Sequence, residues 1–395
     1  MIKPSYSPAN GAKLIAIQFI EERNYLPFCS VVKRVMRMRK SGFLAMNEQG
    51  AVTYHCVSRV VDRDFKFGDK EKAVFVKMMR QYEQFCGVEV LSYCVMSNHF
   101  HLLVRVPQVS EEELSDTEFE YRLSAIYKPM EVREVMRALQ KCKKNKAPKM
   151  ARELKERYSY RMGDVSEFMK SLKQKFSRWY NKANARTGTL WENRYSVTYV
   201  GPGWSTKVVA AYIDLNPLRA GMVKDPSEYR FSSYGEAVSK NGVARERLYA
   251  VMCSVEEGAS LGSSTPDNTA QALEQYRILL AEEGEAVDAE APLQKGDSKA
   301  KRRKKSKGFS KAEVKRILKQ GGRLQLTQLL RCKTKYFTSG FAIGSKLYME
   351  KVLSVLGQQG QALEERKGKS TILKHATELD LRTLRNLQKD PVELK

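Results

Sequence analysis

The sequence predicts an α+β fold, with helices on one face of an antiparallel sheet. Three observations point there. Residues 51–59 (Ala-Val-Thr-Tyr-His-Cys-Val-Ser-Arg) carry β-branched and aromatic side chains at strand-like spacing. Asp69 then opens a stretch from Lys70 to Phe85, with Val74, Phe75, Met78, Met79 and Tyr82 on one helical face. Two more strand-like runs follow, Val88 to Met96 and His101 to Val106, with Asn98 interrupting between them.

Residues 109–160 are polar and charged. They hold two predicted helices and the basic tract 141–146 (Lys-Cys-Lys-Lys-Asn-Lys), so an insertion is expected near 110–161. Val165 to Asn184 is strongly helical, with Phe168, Met169, Leu172, Phe176 and Tyr180 on its apolar face, and Thr187-Gly188-Thr189 breaks it. Arg194 to Val200 is predicted as a strand and Pro202-Gly203 as a turn. Ser205 is the expected cap of a helix from Thr206 to Leu215, which Asn216-Pro217 ends.

These elements define a main domain over 46–250, preceded by an extension over 1–45 in which Met36 or Met38 could be the true start. Beyond Tyr249 the composition shifts. An acidic and then basic linker is expected over 251–308, with one helix from Gln271 to Glu282 and a basic block at 299–307. A small helical C-terminal domain is expected over 309–395. Its helix–turn–helix spacing from Ser310 suits DNA binding.

Charge narrows the class of partner. Seventy Lys and Arg against 45 Asp and Glu give a net charge of +25 in 395 residues. Such a surplus fits a polyanion, and nucleic acid is the expected one. An anionic membrane surface would call for a basic amphipathic helix or a lipidation site, and neither stands out. No apolar run reaches the ~20 residues of a membrane span. The seven cysteines are scattered with no CxxC pair, which argues against a zinc knuckle or disulfide framework and for a reducing, cytoplasmic, nucleoid-associated setting.

The chemistry concentrates at His99 and His101, two of only four histidines. At a spacing of two on a strand both imidazoles face the same way, with Phe100 turned to the other face. Together they make a partial shell for a divalent metal. The plainer alternative is a pair of half-exposed strand histidines. Apolar neighbours such as Val95, Met96, Leu102 and Leu103 make two polar rings there costly without a role. Downstream, Tyr212 and Asn216 lie one helical turn apart, a spacing that could present a nucleophile and a third ligand together. On spacing alone, a core tyrosine followed by a helix-ending Asn-Pro is the better reading. Lys175, Arg178, Lys182, Arg186, Arg194, Lys207, Lys301, Arg302 and Arg303 are candidate DNA contacts, interleaved in part with Trp179, Trp191 and Trp204. His55, on the first strand, is expected to be structural.

Five segments occur in an order that resembles a known family: Tyr54–Arg59 (YHCVSR), Val95–Val104 (VMSNHFHLLV), Thr187–Tyr195 (TGTLWENRY), Tyr212–Val223 (YIDLNPLRAGMV) and Tyr229–Tyr234 (YRFSSY). Together they resemble the REP-associated branch of the single-tyrosine HUH transposases, over about residues 45–240. The resemblance implies a ferredoxin-like core, Mg²⁺ or Mn²⁺ at His99, His101 and Asn216, and Tyr212 as nucleophile. It further implies cleavage and rejoining of single-stranded DNA beside a hairpin through a 5′-phosphotyrosine, by a monomer or homodimer. A DNA-binding relative that has lost cutting, and a metal-dependent RNA nuclease, stay open as alternatives.

Overall fold

The computed structural model describes residues 50–108, 114–254, 265–284, 342–345, 347–349, 351–352 and 382–384. The chain divides into two units, Met1–Ala45 and Met46–Lys395. The N-terminal extension, the basic block 299–307 and the helix–turn–helix expected from Ser310 lie outside the described residues.

The second unit opens with β1 (Val52–Arg59), α1 (Asp69–Cys86), β2 (Glu89–Val95) and β3 (His99–Val106). β3 begins two residues earlier than its apolar run suggested, because the turn at Ser97-Asn98 closes directly onto His99. The insertion holds three helices where two were expected: α2 (Asp116–Ser124), α3 (Pro129–Lys144) and α4 (Pro148–Ser159). Then come α5 (Val165–Ala183) and β4 (Ser196–Val200).

β1, β2, β3 and β4 pair antiparallel in the order β2-β3-β1-β4. With α1 and α5 as the two crossovers, this is the ferredoxin-like α+β arrangement. Side chains alternate between the faces. Phe100 points to the α1/α5 face, where its ring lies 4.5 Å from that of Phe75. Phe67, Phe176 and Trp191 complete that aromatic core at ring separations of 5.2 to 6.0 Å. His55, His99 and His101 point to the other face.

Helices cover that face too. They are α6 (Trp204–Asp214), the single turn α7 (Asn216–Arg219), α8 (Ser233–Val238), α9 (Gly242–Met252) and α10 (Pro266–Gly284). α6 starts two residues before the predicted boundary, and its cap is Gly203 rather than Ser205. Gly203 sits at φ 66°, ψ −127°, a backbone conformation that side chains disfavour, so the turn needs glycine. Ser205 and every residue from Val208 to Asp214 are buried, so α6 is an interior helix. α10 extends the helix predicted within the acidic segment and packs on α9.

Most of the C-terminal segment expected to be a helical domain lies outside the described residues. Among those described, β5 (Ala342–Gly344) and β6 (Arg382–Leu384) extend the sheet beyond β4. β5 runs parallel to β4, and Gly201 donates to the Ile343 carbonyl at 2.7 Å. No helix among the described residues is long and apolar enough to cross a membrane.

Candidate active site

The β1–β3 register places three histidines on one patch of the sheet. His101 lies across from Val57, His99 from Arg59 and His55 from Leu103. His55 and His101 are 1% and 2% exposed, and their Nε2 and Nδ1 atoms are 3.0 Å apart. The two rings stack at 5.2 Å, and His99 meets His101 edge-on at 5.1 Å. Burial drives His99 down to about 4, helped by the Arg59 charge. Burial pushes His101 well below its ordinary value, with His99 and His55 adding to the effect. All three effects favour neutral imidazoles, the form that ligates metal.

The hydrogen on His99 can be assigned. Asn98 Nδ2 donates to the Arg63 carbonyl at 2.9 Å, so its Oδ1 is the atom 2.7 Å from His99 Nδ1. An amide oxygen only accepts, so Nδ1 carries the hydrogen and the Nε2 lone pair is left over. The Arg63 carbonyl is held by two successive left-handed residues, Asp62 (φ 60°) and Arg63 (φ 59°). That conformation costs roughly 1–2 kcal/mol per residue. His101 follows the same pattern if its Nδ1–H donates to His55 Nε2. Its Nε2 is then also available.

Tyr212 reaches the patch from α6. Its ring lies 5.8 Å from His101 and 6.0 Å from His55, edge-on to both, and it is 1% exposed. Burial raises its phenol to about 12, and Arg219 and then Arg59 oppose the rise. The Arg219 guanidinium sits 4.4 Å over the Tyr212 ring and donates to the Tyr212 carbonyl. Lys207, five residues earlier on the same helix, is turned roughly 140° away from Tyr212. Arg219, and not Lys207, is therefore the cation that meets the Tyr212 ring.

Asn216 is buried beside Tyr212. Its Nδ2 donates to the carbonyls of Tyr212 at 3.0 Å and Ile213 at 3.1 Å, closing the end of α6. Its amide nitrogen is thus committed to backbone, and Oδ1 is the atom that could ligate. Among the described residues no three His, Cys, Asp or Glu side chains gather as a metal site. A divalent ion here would have two imidazole nitrogens, one amide oxygen, and substrate or water oxygens. That donor set is chemically adequate and keeps open positions.

Residues 48–114 and 158–216 match the family model described as transposase IS200 like. The two matched segments are similar to that family and together make up about a third of the chain. No curated protein matches the chain. A solved structure described as "Structure of the REP associates tyrosine transposase bound to a REP hairpin" is similar at 12% identity and a TM-score of 0.31. It covers 54% of this chain and 92% of its own.

The candidate cations separate by geometry. Lys175, Arg178 and Lys182 share an exposed face of α5, and Arg194 is exposed in the loop that follows. That loop flanks the histidine end of the sheet, with Glu192 N donating to the Arg59 carbonyl at 3.0 Å. Arg186 instead holds the loop together, donating to the Thr189 carbonyl at 2.7 Å and Asn181 Oδ1 at 3.3 Å. Trp191 is core, its Nε1 donating to the Lys173 carbonyl at 3.2 Å, and Trp179 packs 5.6 Å from Phe176. Lys301, Arg302 and Arg303 lie outside the described residues.

Sequence reasoning missed His55, Asn98 and Arg219 as parts of this site. Arg219 had a signal, since it sits two helical turns after Tyr212. Asn98 is adjacent to His99. His55 had none, because only strand pairing brings it to His101.

Proposed function

We propose that this chain cuts and rejoins single-stranded DNA at hairpin-flanked sites, with Tyr212 as the nucleophile. One observation carries the reading: the Arg63–Asn98–His99 chain of hydrogen bonds leaves the His99 Nε2 lone pair over, and His99 packs against His101, which in turn packs against Tyr212. The family of the matched segments supports the same reaction class.

His99, His101 and Asn216 Oδ1 would hold Mg²⁺ or Mn²⁺, which supplies Lewis-acid polarisation of the scissile phosphate. The chain's own residues do the rest. Tyr212 Oη forms a bond to phosphorus while the bond from phosphorus to the 3′ oxygen breaks, leaving a 5′-phosphotyrosine and a free 3′-OH. The number of phosphodiester-type bonds is unchanged, so rejoining needs no nucleotide cofactor. Arg219 and Arg59 favour the phenolate that burial opposes. His55 fixes the orientation of His101.

The test is incubation of labelled single-stranded hairpin DNA with the full chain and Mn²⁺, beside an RNA of the same sequence. A covalent protein–DNA adduct that disappears in Tyr212→Phe is expected. Binding without an adduct would make the protein a silent hairpin binder. RNA cleavage that survives Tyr212→Phe would remove the mechanism.

A further inference from the structure

The family match skips residues 115–157, the span of α2, α3 and nearly all of α4. This insertion therefore lies outside the segments that match the family model. α3 and α4 pack together as a helical hairpin, joined by Asn145–Ala147. From Arg137 to Arg152 its tip carries Arg137, Lys141, Lys143, Lys144, Lys146, Lys149 and Arg152, with no Asp or Glu. All seven are exposed. Among the described residues only Lys143 of the seven has an ion pair, with Asp116 of α2. Lys143, Lys146, Arg152 and Lys155 also wall a cleft of about 300 Å³ between the helices. Charges of one sign held this densely repel one another, so the arrangement costs stability in the absence of an anion.

The insertion is anchored far from Tyr212. Its base packs on the C-terminal end of α1: Gln84 Nε2 donates to the Tyr121 carbonyl at 3.1 Å, and the Phe85 ring meets that of Tyr127 at 6.2 Å. The start of α1 lies at the histidine end, where Phe67 N donates to the Ser97 carbonyl at 2.9 Å. The 18 residues of α1 span about 27 Å. At 3.4 Å per base pair that is about eight pairs of duplex. A hairpin stem of about that length would reach from the histidine end of α1 to the base of the insertion.

We propose that the α3–α4 tip binds the phosphate backbone of duplex DNA, holding the stem of the hairpin while the unpaired strand occupies the Tyr212 site. This rests on the reading of DNA as substrate. The test compares the full chain with Lys141→Gln/Lys144→Gln/Lys146→Gln/Lys149→Gln, after matched thermal melts confirm folding. Both are titrated across a salt series with a tailed DNA hairpin and with the same unpaired strand lacking a stem. Loss of four phosphate contacts should flatten the log–log salt slope on the hairpin by about 3–4. It should also weaken hairpin binding at least tenfold, with the unpaired strand and adduct yield at saturating DNA unchanged. An unaltered slope, an equal loss on the unpaired strand, or tighter binding to an RNA hairpin of the same sequence overturns the proposal. Failure of the wild type to form an adduct, with the stem effect intact, would defeat the nuclease reading and leave the stem contact standing.

Discussion

The Tyr276 hydroxyl donates to the Asp214 carboxylate at 2.7 Å, tying α10 to the last residue of the helix that carries Tyr212. Both groups are buried. Asp214 also accepts from Ser233 Oγ at 3.0 Å and from the Tyr234 backbone N–H at 3.1 Å. Replacing Tyr276 with Phe leaves one acceptor of a buried carboxylate underserved, a cost of about 1–3 kcal/mol. The expected result is a lowered Tm with native secondary structure. A Tm equal to that of the wild type would show that α10 does not brace the Tyr212 helix.

Burial raises Asp214 to about 6, against hydrogen bonds from Tyr276, Tyr234, Ser233 and Ser92 that pull it down. A carboxyl raised on folding is destabilising once ionised, because the folded chain holds its proton more tightly than the unfolded chain does. Its contribution is most favourable below the unfolded value near 4 and is lost as pH rises through about 6. The loss is on the order of 3 kcal/mol. Urea denaturation of the wild type and Asp214→Asn at pH 4 to 8 should show the stability difference moving toward the variant across that window. A difference independent of pH would contradict the assignment.

His55 and His101 should both be Nδ1–H tautomers in the metal-free protein, the minor form for free neutral imidazole. The chain has only four histidines, so long-range ¹⁵N–¹H correlations can be assigned. His55→Phe should weaken Mn²⁺ binding 10- to 100-fold, and His55→Gln, which keeps an acceptor, should restore most of it. A hydrogen found on His101 Nε2 would reverse the bond, with His55 Nε2–H donating to His101 Nδ1, and would take Nε2 away from a metal.

Arg219 lies over the Tyr212 ring and favours its phenolate. With Tyr212 at about 12, the phenolate fraction grows tenfold per pH unit across the neutral range. In Arg219→Met the pH–rate profile for adduct formation should move to higher pH, with the rate at pH 8 reduced several-fold. A parallel drop at every pH without a shift would assign Arg219 to the carbonyl it also binds rather than to the phenol.

The core was legible where local periodicity and tertiary burial agree. β1, α1, β2 and α5 fall within two residues of the patterns that predicted them. The histidine pair could be read because two rings at a spacing of two must share a strand face. His55 could not, since 46 residues separate it from His101 and register alone joins them. Arg186 looked like a DNA contact because sequence shows a charge and not the Thr189 carbonyl it serves. The short strands β5 and β6, three residues each, are too brief to carry a period, so their surroundings read as helix.

The parallel pairing of β5 with β4 bears on the order of events during synthesis. Val200 is paired with Ile343, a closure across more than 140 residues. Until the ribosome has released that later segment, β4 presents open backbone donors and acceptors along its outer side. Gly344 keeps the junction tight, because a Cβ there would come within 2.4 Å of the Tyr348 ring. A nascent or C-terminally trimmed chain would therefore carry a complete histidine–tyrosine site on a sheet with one adhesive border. It would be prone to strand-to-strand association with its own copies.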